Sequence, residues 1–279
     1  MNFVKTKLYS FFSKIYPPEL DSRILNGIAR ILFKIFGYAT VDYGQIKLKV
    51  TPNDMVDRFI LLNRHINPFV TSAVSQVLAD GGVFLDMGAN HAVLSLLAAR
   101  NDKVKVFAFE PSPRELQRLF MNLALNGKNN ISVLSYGLGE AEITQDFNLG
   151  DDDHSGCNSL PNILDGETRV SCHFATLTGL LSPELIKQAR VCKVDVEGQE
   201  MFVFKSLKSH MDLMRQCVFV VEVSDHLLKK IGFKSDDIYS FFADAGFKHQ
   251  YVNDPKLVQW EEIFYHPDFN QEIAFSPSI

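Results

Sequence analysis

Cysteine is scarce in this chain of 279 residues: Cys157, Cys172, Cys192 and Cys217 are the four. No two form a C-x-x-C pair and none has His-assisted zinc spacing, which argues against a disulfide scaffold or a structural zinc site. Reduced thiols, two of them inside strand-like runs, are the expectation for a cytoplasmic protein. A basic excess is also missing. With a formal net charge of -5 the chain has no general attraction for phosphate backbones, so no nucleic-acid partner is expected. Long apolar runs are absent too: Arg30 and Lys34 interrupt the best candidate well before the roughly 20 residues a spanning helix needs. The beginning, with Lys5 and Lys7, lacks the uninterrupted apolar stretch and small-residue cleavage site of a secretory signal. Repeats and low-complexity segments are lacking. What remains, 46% hydrophobic and 22% charged, is an ordinary globular composition, long enough for one large α/β domain with an extension.

Against that background, four short apolar runs each end on an acid: VFLD at Asp86, VFAFE at Glu110, VCKVDVE at Asp195 and Glu197, and VFVVE at Glu222. Parallel strands buried on both faces read as continuous apolar runs, and a carboxylate within one is costly to desolvate, so these acids belong at strand ends. In an open α/β sheet, ligands bind at those ends. An acid after a strand also caps the next helix; four together exceed what capping alone explains.

Helical spacing of Val4, Leu8, Phe11, Phe12 and Ile15, and again of Ile24, Ile28, Ile31, Leu32 and Ile35, predicts two amphipathic helices before Gly37. Their charges are mostly basic, so residues 1–37 are read either as a lid packed on the main body or as a peripheral contact with anionic lipid. Residues 39–50 suggest a hairpin turning at Gly44, and 68–79 a helix. Strands at 83–86, 104–110, 131–136, 191–196 and 217–223 alternate with helices at 92–100, 113–125, 199–208 and 235–245, the rhythm of right-handed βαβ units. A terminal pair at 247–253 and 261–266, joined by a loop with Asp254 and Pro255, suggests an antiparallel edge. The division expected is residues 1–50, helices and hairpin, followed by 51–279, the main domain with an inserted loop or hairpin at about 138–180.

The turn Asp86-Met87-Gly88-Ala89-Asn90-His91-Ala92 carries a strand straight into a helix, where free backbone N–H groups would face an anion. It is not the G-x-G-x-x-G of a dinucleotide clamp. Glu110, about 24 positions on at the next strand end, suits a ribose diol, and together the two features indicate a nucleoside-containing cofactor. Strand alternation sets Lys193, Asp195 and Glu197 on one side, either as an internal ion pair or with a carboxylate facing substrate. Oxygen ligands from Asp195, Glu197 and Glu222 would suit a divalent metal, a reading less favoured than a site without one. Ser155, Asn158 and Ser159 in the polar loop are either substrate contacts or turn formers, and His226 is the third choice of catalytic base after Asp195 and Glu197.

LDMGANHAVLSLLAA, FEPSPRELQRLFMNLALN, HSGCNSL, KVDVEGQE and VVEV occur in the order seen in FkbM-type methyltransferases, which this chain resembles over about residues 54–250. The resemblance implies a Rossmann-like class I α/β fold, with a mostly parallel sheet and helices on both faces, that binds S-adenosylmethionine and methylates a hydroxyl of a sugar, polyketide or related small molecule. By position, Asp86, Gly88, Ala89 and Asn90 would surround the methionine part, Glu110 the ribose, and Pro111, Tyr136 and Gly137 the adenine. Asp195, Glu197 and Glu222 would face the reacting end. Two departures stand out: Ala92 where the family usually has glycine, expected to be a mild helical residue, and Thr178 where it usually has aspartate. A silent cofactor-binding module and a nicotinamide-dependent oxidoreductase are the competing classes, the latter disfavoured by the missing glycine motif.

Overall fold

The computed structural model describes residues 2–17, 20, 22–62, 68–150, 158–163, 168–250 and 261–269. Two amphipathic helices, α1 (Asn2–Ile15) and α2 (Arg23–Phe36), precede the hairpin β1 (Ala39–Tyr43) and β2 (Ile46–Val50), then α3 (Met55–Leu61) and α4 (Pro68–Val77). The βαβ rhythm follows: β3 (Gly82–Met87), α5 (Val93–Ala98), β4 (Val104–Phe109), α6 (Pro113–Asn126) and β5 (Ile131–Leu134). After them come the inserted strands β6 (Gly137–Leu138), β7 (Ile143–Leu149) and β8 (Thr168–Ala175), with α7 (Leu177–Leu180) and α8 (Pro183–Lys187). The rhythm resumes in β9 (Ala189–Val194), α9 (Glu200–Leu207), β10 (Val218–Glu222), α10 (Asp225–Lys230), α11 (Ser235–Asp244), β11 (Lys248–Gln250) and β12 (Glu261–Tyr265).

Among the described residues seven strands form the main sheet, in the order β11-β12-β10-β9-β3-β4-β5. From β10 to β5 every pairing is parallel, whereas β12 runs antiparallel to both β10 and β11. The apolar runs are strands because each residue in them buries a side chain on one face or the other. Phe84, Val106, Val191, Val218 and Val220 pack toward α4 and α5, while Leu85, Phe107, Cys192, Phe219 and Val221 pack toward α9 and α11. Helices therefore cover both faces, as the sequence rhythm requires. Cys172, Cys192 and Cys217 are buried free thiols.

Helix α6 shows how local sequence sets a boundary. The Ser112 hydroxyl accepts the Glu115 N–H at 3.4 Å, and Pro113 supplies a preset φ where no N–H is needed. The hairpin is tied to this helix by Asn122 and Asn126, whose side-chain oxygens accept the Lys49 and Lys47 N–H groups at 2.8 Å each. The Tyr9 hydroxyl of α1 donates to the Gly37 carbonyl at 2.7 Å, closing α1 and α2 over the hairpin.

Several elements differ from the sequence reading, the short helices α7 and α8 among them. Helix α3 was not anticipated because two of its four buried residues are Asp57 and Arg58, so it carries no apolar stripe. Helix α10 is a single short turn without one either. Strand β9 stops at Val194, so Asp195 and Glu197 lie in the turn that follows rather than on one face of the strand. The loop with Asp254 and Pro255 lies outside the described residues.

Candidate active site

At the carboxyl ends of β3, β4 and β9 a cleft of about 640 Å³, open solvent included, is lined by Gly88, Asn90, Glu110, Pro111, Tyr136 and Gly137 on one side. Asn158, Asp195, Glu197 and Gln199 are among the residues on the other. Both oxygens of Glu110 are engaged by backbone: Oε2 accepts the Asn90 N–H and Oε1 the Ser112 N–H, each at 2.9 Å. Burial pushes its carboxyl up to about 8, although these two hydrogen bonds work in the opposite direction. Each oxygen retains a lone pair for a further donor.

The loop from Asp86 to Ala92 is wound by left-handed residues: Gly88 (φ 83°), Asn90 (φ 48°) and Ala92 (φ 63°). Four of its N–H groups are already taken up within the protein. Those of Gly88 and Ala89 both donate to the Phe109 carbonyl at 3.0 and 2.9 Å, that of Asn90 goes to Glu110, and that of Ala92 to the Ala89 carbonyl at 2.7 Å. Ala92 is also not the helical residue expected; it sits before α5 in the conformation that favours glycine. That conformation costs an alanine about 1–2 kcal/mol. Two terms offset it: glycine would add about 0.4–1 kcal/mol of unfolded-chain entropy, and the fully buried methyl, packed with Ala89, Ala108 and Leu119, contributes about 0.8 kcal/mol. Ala92→Gly is accordingly expected to change the unfolding free energy by less than about 1 kcal/mol in denaturant titration.

Three carboxylates converge beyond the ends of β9 and β10. Asp195, Glu197 and Glu222 each place an oxygen within 4.8 Å of the others. Asp195 accepts from Lys193 Nζ at 3.0 Å, and Glu261 lies 3.8 Å from the same ammonium. Burial and then the charge of Asp195 push the carboxyls of Glu197 and Glu222 well above the usual range. Burial works against the Lys193 charge, yet Asp195, Glu261 and Glu222 keep its pKa above that of an ordinary lysine. Glu222 Oε2 is buried with no hydrogen-bond partner among the described residues. Glu197 adopts φ 54°, unusual for its type, while the next turn is held by Glu200 Oε1, which accepts the Val196 and Gly198 N–H groups at 3.2 and 3.1 Å. One lysine facing this many carboxylates leaves the site short of positive charge, an environment suited to a cationic ligand.

A second cleft, about 840 Å³ with open solvent included, opens on the α4/α5 side. Val70, Leu94 and Leu97 form its apolar wall, and Asp86, Lys193 and Glu261 its polar floor. It shares Gly88, Asn90 and Asp195 with the first cleft. Asp86 and Ala89 line this second cleft and not the first, because Asp86 follows Phe84 in parity and so faces α5, where Oδ2 accepts the Ser95 hydroxyl at 2.5 Å. Burial raises its carboxyl to about 6, with the Ser95 hydrogen bond opposing.

Behind the loop from Asp86 to Ala92 lies a buried ionic network that sequence reading missed. Arg118 on α6 donates to both oxygens of Asp57 at 2.7 and 2.6 Å and lies 3.6 Å from Asp54, with Tyr38 stacked 5.3 Å away. His91 Nε2 is 2.7 Å from Glu115 and 2.8 Å from Arg118 Nη1. One ring nitrogen cannot donate to one and accept from the other, and charge favours its N–H on Glu115. Burial would raise the Glu115 carboxyl, but the hydrogen bond and charge of His91, with Arg114, hold it down to about 2. Asp54, Asp57 and His91 are close enough to hold an ion, and the Arg118 guanidinium already supplies the charge there. The N-cap Asp54, three residues before Asp57, was the one sequence signal available.

The remaining candidates divide as follows. His226 is exposed on the first turn of α10 and lines neither cleft, a placement decided by a helix the sequence did not reveal. Ser159 is buried, pairs through its backbone with Asn148 and donates its hydroxyl to the Leu160 carbonyl at 3.3 Å. Asn158 lines the first cleft while its side-chain oxygen accepts from Arg114 and from the Gly150 N–H at 2.9 and 3.0 Å. Ser155, His154 and Cys157 lie outside the described residues. Thr178 sits in α7 with its hydroxyl 3.3 Å from that of Thr176, the residue that caps this helix.

A sheet with six strands in one direction, the seventh reversed, and two clefts at the carboxyl ends of its middle strands is the Rossmann-like architecture of class I methyltransferases. Residues 86–249 match the family model described as the methyltransferase FkbM domain. The chain belongs to that family. Among solved structures it is similar to a methyltransferase FkbM from Methylobacillus flagellatus, at 17% identity and a TM-score of 0.43. The alignment takes in 67% of this chain and 44% of that one, so this chain spans less than half of that relative's length. Others are an rRNA methylase from Streptococcus thermophilus (10% identity, 70% and 91% covered, TM-score 0.41) and TYW2 from M. jannaschii in complex with AdoMet (11%, 81% and 84%, 0.41). No curated protein sequence matches. No helix among the described residues is long and apolar enough to cross a membrane.

Proposed function

We propose that this chain transfers a methyl group from S-adenosylmethionine to a hydroxyl of a sugar, polyketide or related small molecule, with the first cleft for the cofactor and the second for the acceptor. The observation that carries this reading is Asp195, which lines both clefts and therefore stands where a hydroxyl and a methyl donor would meet. The residues fit the cofactor: an acid at the ribose position, a cleft of suitable size, and a carboxylate-rich end short of positive charge.

When bound, S-adenosylmethionine supplies an electrophilic methyl on a sulfonium. Glu110 would hold the ribose hydroxyls through its remaining lone pairs, and Pro111, Tyr136 and Gly137 would surround the base. Asp195, with Lys193 as counter-ion, orients the acceptor hydroxyl and takes its proton. A carboxylate resting on the sulfonium would favour the reactant over the transition state, because that charge disappears during transfer, so Asp195 works on the acceptor side. Glu197 and Glu222, whose carboxyls burial and the charge of Asp195 push up, face the reacting end. The acceptor is read as a small molecule with an apolar part, which the wall of Val70, Leu94 and Leu97 suits, and no nucleic-acid partner is proposed.

Incubation with methyl-labelled S-adenosylmethionine and a cell extract should label a low-molecular-weight or glycan fraction as a base-stable ether. Asp195→Asn keeps the lysine contact but is expected to lower kcat about 10²–10⁴-fold with cofactor affinity within about threefold of wild type. Label in RNA, or unchanged turnover in the variant, would sink the proposal. A second reading has its own observation in the three converging oxygens of Asp195, Glu197 and Glu222, which would hold a divalent ion. Activity that survives chelation supports the first reading; loss restored by magnesium assigns the trio to a metal.

The cofactor site makes a separate prediction. A charge-assisted hydrogen bond contributes about 1.5–3 kcal/mol, so Glu110→Ala should weaken S-adenosylmethionine binding by about 10–150-fold in calorimetry. Glu110 is raised to about 8 in the free protein, and ribose donors favour its ionised form. Binding below pH 8 therefore expels a proton, and wild-type affinity should rise from pH 6 toward 8 and level off above. Calorimetry in two buffers of different ionisation enthalpy would reveal the proton, and its absence would remove Glu110 from the ribose site.

A further inference from the structure

Ten of the twelve large hydrophobic side chains exposed among the described residues fall between Phe3 and Phe36. The clustering arises because α1 and α2 pack with only part of their apolar surface. Helix α1 turns Tyr9 and Phe12 inward, with Tyr16 just beyond its end, and α2 meets them through Leu25, Ala29 and Leu32. A second apolar stripe is left over on α2: Ile24, Ile28, Ile31 and Ile35, at 78%, 41%, 58% and 66% exposure. At about 100° per residue these four fall within an arc of about 60°, centred roughly 100° from the face that packs on α1. Arg23, Arg30 and Lys34 follow in a band on the far side of the isoleucines. Helix α1 repeats the pattern, with Val4, Phe11 and Ile15 exposed beside Lys7 and Lys14.

Charge separates this segment from the rest of the molecule. Residues 1–37 hold six lysines and arginines against Glu19 and Asp21, a net +4 in a chain whose total is -5, leaving -9 on the remainder. Each helix has 14 residues, about 21 Å, too short for a hydrocarbon layer of about 30 Å. A helix of that length, with an isoleucine stripe flanked by a cationic band, suits the plane of an interface, where the apolar residues enter the acyl region and the cations meet the headgroups.

We propose that α1 and α2 form a docking surface for an anionic lipid bilayer. Opposite charge attracts this face to such a surface, while the acidic remainder turns away, so the molecule docks in one orientation. The same charges disfavour the competing occupant, a second copy of the chain, because pairing would bring two net-positive segments together.

Flotation of the full chain tests this with vesicles of phosphatidylcholine alone and of phosphatidylcholine mixed with phosphatidylglycerol. Binding to the mixed vesicles is expected, at least about tenfold stronger than to the neutral ones and weakened at high salt. The double variant Ile28→Asp/Ile31→Asp should lose about a hundredfold or more in partitioning, and Arg30→Glu/Lys34→Glu more than about tenfold. Both pairs are exposed or half-buried outside the clefts, so thermal unfolding and S-adenosylmethionine binding should match wild type and exclude misfolding as the cause. Equal flotation with neutral and anionic vesicles, absence of flotation, or variants that float like wild type would each overturn the proposal. So would a wild-type dimer in sedimentation analysis that the isoleucine variant dissolves, since that would give the stripe to self-association.

Discussion

Gly88→Ala is expected to destabilise the fold by about 2–5 kcal/mol and to abolish cofactor binding. Gly88 holds φ 83°, and a Cβ built on it would sit 1.8 Å from the carbonyl oxygen of Asp195 and 2.9 Å from its carbonyl carbon. Neither atom can step aside as a side chain would. The Asp195 N–H donates to the Met87 carbonyl at 3.1 Å, so the ends of β3 and β9 are fastened together at the point where the two clefts meet. Relief requires the strand ends to part, and the loop carrying Asn90, which orients Glu110, moves with them. Denaturant unfolding measures the first effect and calorimetry with S-adenosylmethionine the second. Wild-type affinity in a stable variant would show that the β9 turn yields freely and that this contact does not shape the site.

Arg118→Met should cost about 3–5 kcal/mol of stability, the amount associated with leaving buried charge uncompensated. The guanidinium serves Asp57 directly, faces Asp54 and reaches the Lys49 carbonyl at 3.1 Å, all within a nearly dry layer between α3 and α6. Burial already raises the Asp57 carboxyl to about 6 against the pull of Arg118, and removal of Arg118 would raise it further. The sign of the pH dependence follows. In the variant the penalty belongs to ionised Asp57, so protonation lifts it, and the deficit relative to wild type should shrink as pH falls from 8 to 5. Unfolding curves at the two pH values check this. The second substitution Asp57→Asn should recover part of the loss, because the two residues share one interaction.

The main sheet was legible in the chain because its strands are buried on both faces, and β3, β4, β9 and β10 could be read as apolar runs from their composition alone. What escaped shares a cause. Helix α3 buries Asp57 and Arg58 beside Ile60 and Leu61, so it shows no long aliphatic stripe, and Asp57 finds its ion-pair partner in Arg118, about 60 positions away. Periodicity registers only local pattern and is blind to such pairs. The acids at strand ends were visible, but the face each would take was not: Asp86 obeys strand parity and turns to α5, Glu110 lies just past the end of β4, and Asp195 and Glu197 sit in a turn where alternation no longer applies. Ala92 misled for a related reason, since identity and propensity suggest a helix whereas the neighbouring turn imposes φ 63°.

The inserted strands form a sheet of their own, in the order β6-β8-β7, around a small core of Phe147, Leu149, Leu160, Cys172 and Phe174. Outside contributors to that core include Leu227, Phe202 and Ile231, and the side chain of Asn158 fastens the segment to Arg114 and Glu115 at the start of α6. A module with separate hydrogen-bonded edges and few attachment points can be lengthened, shortened or exchanged without re-registering the seven-stranded sheet. Changes within this segment, beside the first cleft, would leave the contacts of Gly88 and Glu110 in place. Exchanging this segment would replace the wall that Phe147, Asn158 and Phe174 give the first cleft and leave the lining of the second untouched.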